Sequence, residues 1–314
     1  MKKVLISDLT HPVLEERLRA AGIDVSVEPD HDYRSLLQAV QGYDGLVVRS
    51  KVIIDSAFID ACPQLRCIGR VGAGMETIDV DYAESHGVRC LNSPEGNRDA
   101  VGEHTVGLLL ALLDNIARAD AEVRRGLWRR EANRGLELGN LTVGIIGFGN
   151  MGSSFAKKIS GFGCKILAYD KYKHNYAPDY VEECSLKDLQ RKADIVSLHV
   201  PLTGETKYRA NARFFNAFAK PVFVINTSRG KVLNTADLVQ CMESWQVLGA
   251  ALDVLEYEDM SVDGLAACDS MPEPLRYLVQ SPRVVLTPHV AGWTVESKYK
   301  LSAVLADKII AALC

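Results

Sequence analysis

The sequence predicts an α/β protein built from two parallel sheets, each flanked by helices. Three observations lead there. Short apolar runs at residues 4–6, 45–48 and 67–71 alternate with helical stretches at 13–21 and 57–61, as strands joined by crossover helices require. A second alternating series begins at Val143, with apolar runs at 143–147, 165–169, 195–199, 222–226, 249–252 and 284–287. The chain has 314 residues, a length that suggests about two domains.

Between the two series, residues 99–126 read as one long helix whose apolar run 108–113 suits burial between domains or subunits. Residues 256–274 mix Asp, Glu, Ser, Pro and Cys without periodicity and read as irregular, and residues 294–313 read as a closing helix. No repeat and no low-complexity segment occurs. The composition is ordinary for a globular protein, with 47% hydrophobic residues and a net charge of −4 spread along the chain. No basic stripe marks a nucleic-acid surface, and no run of about 18 apolar residues marks a membrane span. Residues 4–6 are too short for a signal peptide. The eight cysteines form no CxxC pair, so no metal site is expected, and scattered thiols fit the cytoplasm.

Residues 143–152 read VGIIGFGNMG, in which Gly147, Gly149 and Gly152 make GxGxxG between a strand and a helix. The first glycine allows the tight turn, the second lets backbone approach a pyrophosphate, and the third lets helix and strand pack closely. Amides at the start of the helix then face the phosphate charge. Asp170 closes the next strand, near the spacing of roughly 20 residues at which an acid meets the adenosine ribose. A carboxylate there repels a 2′-phosphate, which favours NAD over NADP, although Lys171 and Lys173 could soften that repulsion. The second series is therefore read as a Rossmann-like domain.

Three further segments follow strand ends, where open parallel sheets bind ligands. They are VINTSRG with Arg229, AALDVLEYE with Asp253 and Glu258, and TPHVAG with His289. Hydride transfer to a 2-oxo acid needs a guanidinium for the carboxylate, a proton donor working near neutral pH, and an acid to hold that donor. Arg229, His289 and Glu258 supply the three.

With these motifs stand GRVGAGMETID at 69–79 and NSPEGNRDAVGEHTVG at 92–107. Together they make the chain resemble the D-isomer-specific 2-hydroxyacid dehydrogenase family over nearly its whole length, and in particular its phosphoglycerate dehydrogenase branch. The resemblance implies two Rossmann-like or flavodoxin-like domains with the active-site cleft between them. Residues 1–98 and 290–314 would form a discontinuous substrate domain, and 99–289 the NAD-binding domain. It implies Arg229, Glu258 and His289 as the catalytic set. Gly147, Gly149, Asn150, Met151, Gly152, Asp170, Val200, Thr227, Ser228, Asp253, Ala291 and Gly292 would line NAD, and Arg49, Gly72, Ala73 and Gly74 the substrate. A homodimer helped by the long helix is implied as well, with a small 2-hydroxy or 2-oxo acid, phosphorylated or not, as the other partner.

Two departures bear on the substrate. Asp259 follows Glu258 where the family usually has proline, and residues 259–271 look inserted. Glu258 is preferred to Glu256 because it lies five residues after Asp253, as in the family. No room is left after the last helix for the regulatory domains of many phosphoglycerate dehydrogenases, so serine feedback is not expected. Arg49, Arg70 and Arg98 could meet a phosphate, as in 3-phosphoglycerate and serine biosynthesis. Glyoxylate, hydroxypyruvate, 4-phosphoerythronate and D-lactate are the alternative substrates, and a non-enzymatic NAD-sensing corepressor is the alternative role.

Overall fold

A computed structural model describes residues 1–258 and 271–314. It divides into two compact units, Met1–Arg98 with Trp293–Cys314, and Asp99–Gly292. Most of the segment expected to be inserted, 259–270, lies outside the described residues.

The first unit holds strands β1 (Lys3–Ile6), β2 (Asp24–Val27), β3 (Gly45–Val48), β4 (Cys67–Arg70) and β5 (Arg89–Asn92). They pair in parallel in the order β2-β1-β3-β4-β5, the flavodoxin-like order. Side chains alternate between faces along each strand. Val4, Ile6, Val47 and Cys67 therefore share one core, with Leu305 and Ile309 of the helix Val295–Leu313. Leu5, Leu46, Val48 and Ile68 share the other, with Phe58. Burying one such aliphatic side chain contributes about 1.5–3 kcal/mol, and Ile309 at 1% exposure is how the chain end is fastened to this sheet.

The second unit holds β6 (Thr142–Ile146), β7 (Lys165–Tyr169), β8 (Glu182–Glu183), β9 (Ile195–Leu198), β10 (Val222–Asn226), β11 (Val247–Leu252) and β12 (Val284–Leu286). Their order is β12-β11-β10-β9-β6-β7-β8, all parallel. This is the dinucleotide-binding order extended by one strand, and its direction reverses between β6 and β9. Val224 and Ala250 face one core while Ile225 and Ala251 face the other.

The structure corrects three points of the sequence reading. The helix expected over 99–126 is two helices, Pro94–Leu113 and Ile116–Arg124, bent by 63°. The break is Asn115, whose φ of 55° lies in the left-handed region that asparagine tolerates better than most residues. Strands β2, β5 and β8 are additional to those expected. Glu273–Gln280, at the end of the stretch read as irregular, is helical. Among the described residues no single helix is long and apolar enough to cross a membrane, no cluster of metal ligands occurs, and the cysteines are free.

Candidate active site

The glycine turn follows β6, where the strand order reverses. Gly147 has φ 92°, and a Cβ there would lie 2.4 Å from the His199 carbonyl oxygen. A Cβ on Gly152 would lie 2.0 Å from the Gly147 carbonyl oxygen, so turn and helix touch backbone to backbone. Gly149 differs: a Cβ would meet nothing within 4 Å. It caps the helix Asn150–Ile159, and among the described residues no side chain caps that helix start. Half-buried Asn150 and Met151 open that helix. Two glycines are thus required by packing, and the third leaves open space before a helix start, which fits a diphosphate.

Asp170 follows β7 and accepts the Phe148 amide on Oδ2 (2.9 Å) and the Tyr172 and Lys173 amides on Oδ1 (3.0 and 3.2 Å). The two lysines that could have offset its charge are engaged elsewhere. Lys171 pairs with Glu205, and Lys173 Nζ donates to the Phe148 carbonyl at 2.9 Å. The residues present therefore fit NAD. Val200 stands against the turn, its Cγ1 2.9 Å from a Cβ built on Gly147.

The strand-end loops converge within this same unit. After β10, the Asn226 Oδ1 accepts the Ser228 hydroxyl (2.7 Å) and amide (3.1 Å), and its Nδ2 donates to the Arg229 carbonyl (3.0 Å). Thr227 and Ser228 are buried, and Thr227 meets Thr105 oxygen to oxygen at 3.2 Å. Arg229 is half-buried and donates to the Ser228 carbonyl at 2.6 Å. A Cβ on Gly230 would lie 1.9 Å from the Leu255 carbonyl oxygen, so the loop carrying Arg229 lies directly on the one carrying Glu258.

His289 Nδ1 and Glu258 Oε2 are 2.9 Å apart. A carboxylate only accepts, so Nδ1 carries the proton and Nε2 is left for chemistry. The other Glu258 oxygen accepts the Leu255 amide at 2.9 Å, which fixes the carboxylate. The hydrogen bond to Glu258 raises the His289 pKa above the usual imidazole value; burial and the Arg229 charge oppose it, and the charges of Glu258 and Asp253 reinforce it. Glu256 is used differently, accepting the Tyr208 hydroxyl (2.8 Å) and the Thr235 amide (3.0 Å). The geometry thus puts Glu258 and not Glu256 beside His289.

The His289 backbone has φ 55°, a conformation that costs a non-glycine residue on the order of 1–3 kcal/mol. Asp253 holds it there. Its carbonyl accepts the His289 amide (2.7 Å), Oδ1 the Val290 amide (2.9 Å) and Thr287 hydroxyl (2.6 Å), and Oδ2 the Ala291 amide (2.9 Å). Asp253 is 1% exposed, and its pKa is nonetheless lowered: desolvation alone would raise it, but hydrogen bonds from His104, Thr287 and the loop amides outweigh that. Ala291 is buried and Gly292 half-buried behind this clasp.

In the first unit, Arg49 is anchored by its backbone: its amide donates to the buried Asp8 carboxylate (2.8 Å), and its carbonyl accepts Arg70 Nε (3.2 Å). Its guanidinium lies 5.6 Å from the ring centre of Trp293. Arg70 also closes over Gly72, where a Cβ would lie 2.4 Å from Nη1. Gly72 and Ala73 offer their carbonyls to the Ser93 amide (2.9 Å) and Asn92 Nδ2 (2.6 Å). Among the described residues, no amide of Gly72, Ala73 or Gly74 donates a hydrogen bond. Trp293, Asp8, Thr287 and His104 are additions to the sequence-derived set. No local pattern gives them these contacts, because each has its partner far away along the chain.

The profile for the D-isomer specific 2-hydroxyacid dehydrogenase NAD binding domain matches residues 106–291. The chain is 32% identical, over 98% of its length, to the D-3-phosphoglycerate dehydrogenase of Archaeoglobus fulgidus, of which it spans 56%. It is 34% identical to the hydroxypyruvate reductase of Thermotoga maritima over 92% of both chains. It thus spans little more than half of the first relative and most of the second. Among solved structures, the D-lactate dehydrogenase from Aquifex aeolicus, complexed with NAD and lactic acid, aligns with a TM-score of 0.82 at 26% identity, covering 98% of this chain and 94% of that one. Asp99–Gly292 contains an NAD-binding domain, and the chain belongs to the D-isomer specific 2-hydroxyacid dehydrogenase family.

Proposed function

We propose that this chain interconverts a D-2-hydroxy acid and its 2-oxo acid, and that the preferred acid carries a phosphate, as 3-phosphoglycerate does. The observation that carries the reading is the 2.9 Å contact between His289 and Glu258, with Arg229 close enough to oppose the rise in the imidazole pKa. NAD, when bound, supplies the hydride acceptor or donor. In the reducing direction the His289 imidazolium protonates the carbonyl oxygen from Nε2, while Glu258 holds Nδ1–H. Arg229 takes the substrate carboxylate and stabilises the charge developing on oxygen. In the oxidising direction neutral His289 accepts the hydroxyl proton.

We also assign an anion-binding role to residues of the first unit, taken by itself. The amides of Gly72, Ala73 and Gly74 donate to no described residue, and we assign them as donors to an acid group. The Arg49 guanidinium is shown donating to no described residue and rests by the Trp293 indole, as suits a docking point for phosphate. The similarity to hydroxypyruvate reductase supports a second reading, an unphosphorylated acid. The test is a panel of phosphorylated and unphosphorylated 2-oxo acids, followed by NADH oxidation, with wild type and Arg49→Ala. Preference for 3-phosphohydroxypyruvate that collapses in the variant supports the phosphate reading. Equal use of hydroxypyruvate by both proteins overturns it, and no turnover with any acid overturns the enzymatic reading.

The reading extends to a homodimer. The helix Ile116–Arg124 buries none of its residues, and Ile116, Val123 and Trp128 are 52%, 52% and 80% exposed, an apolar surface that a second copy would cover. Light scattering at the monomer mass would contradict it.

A further inference from the structure

We propose that His104 is a positioning residue for the proton-transfer group His289, acting through Thr287 and Asp253; this rests on the role given to His289 above. His104 lies on the helix Pro94–Leu113, within Asp99–Gly292. Its Nε2 is 3.0 Å from the Thr287 hydroxyl oxygen and 3.4 Å from Asp253 Oδ1.

The direction of each hydrogen bond follows from proton count. The Thr287 hydroxyl has one proton. At 2.6 Å from Asp253 Oδ1 it stands at the distance of an O–H donor to a carboxylate. Its lone pairs are then what His104 meets, so Nε2–H donates to Thr287. The chain runs from His104 to Thr287 to Asp253, each donating to the next.

The consequence reaches His289 because Asp253 clasps residues on both sides of it. Asp253 accepts the His289, Val290 and Ala291 amides. It is 1% exposed, so the carboxylate depends on protein donors alone to keep its charge in place. Loss of the His104 donor removes the bond that fixes the Thr287 hydroxyl oxygen and withdraws an N–H that stands 3.4 Å from Asp253 Oδ1, which loosens the hold of Thr287 and Asp253 on the loop. His289, held in a left-handed backbone by that clasp, then loses its aim at the substrate oxygen.

The test compares His104→Leu with His104→Gln, whose side-chain amide can donate in place of Nε2–H. The expected result is a kcat lower in H104L on the order of ten- to a hundredfold, little change in KM for NADH, and recovery in H104Q. The solvent deuterium isotope effect on kcat should rise in H104L and return in H104Q, because proton transfer is the misaligned step. A merely structural role would lower the active fraction and leave that isotope effect unchanged. Should H104L not fold, Thr287→Val breaks the same link and must show the same pattern. His289→Ala is run alongside. An inactive H289A with a wild-type kcat and isotope effect in H104L overturns this proposal alone, and an active H289A overturns the reading it rests on.

Discussion

Replacing Gly152 by alanine tests how the nucleotide turn works. The new methyl would stand 2.0 Å from the Gly147 carbonyl oxygen, where real Cβ contacts do not fall below 3.0 Å, so turn and helix must part by about 1 Å. The obstacle is backbone, and no flexible side chain can yield instead. Forcing a methyl into packed surroundings costs about 1–3 kcal/mol, which lowers the melting temperature of a unit this size by about 2–4 °C per kcal/mol. The same displacement stretches a helix-start hydrogen bond to phosphate beyond reach. One charge-assisted bond is worth about 1.5–3 kcal/mol, so Kd for NAD should rise between about ten- and a hundredfold. Calorimetric titration of NAD into the folded variant, with melting followed in parallel, measures both. A variant that melts as expected but binds NAD within twofold of wild type would refute the reasoning.

Two other perturbations have defined outcomes. Glu258→Gln removes the cause that raises the His289 pKa. The pair's contribution is full below the ordinary imidazole pKa and lost as pH rises through the raised one, so in the variant the alkaline fall of the reduction rate should move to lower pH; an unmoved limb in initial-rate profiles would contradict this. Asp170→Ala removes the carboxylate at the end of β7 and should lower the ratio of NAD to NADP efficiency by roughly tenfold or more, which steady-state kinetics with both cofactors would read.

Much of this was legible in the sequence, for physical reasons. Central strands of parallel sheets are buried on both faces, so GLVV and IVSL announce β3 and β9 as continuous apolar runs. Strands β2, β5 and β8 lie at sheet edges and carry DVSV, RCLN and EE. Edges need less apolar surface, so period and hydrophobicity both fade there. The bend at Asn115 was hidden because the apolar pattern continues past it to Ile116 and Val123. In the site, Arg229, Glu258 and His289 could be picked out because each residue type suits one task and follows a strand. The contacts of His104 with Thr287, 183 positions away, and of Arg49 with Trp293 are products of folding, and no local pattern encodes them.

In the proposed reaction His289 is the group that moves the proton, and His289→Ala measures it. With NAD affinity checked by titration, kcat should fall by about two to four orders of magnitude while Kd for NAD stays within twofold. Turnover close to wild type in a folded, NAD-binding H289A protein would contradict the mechanism.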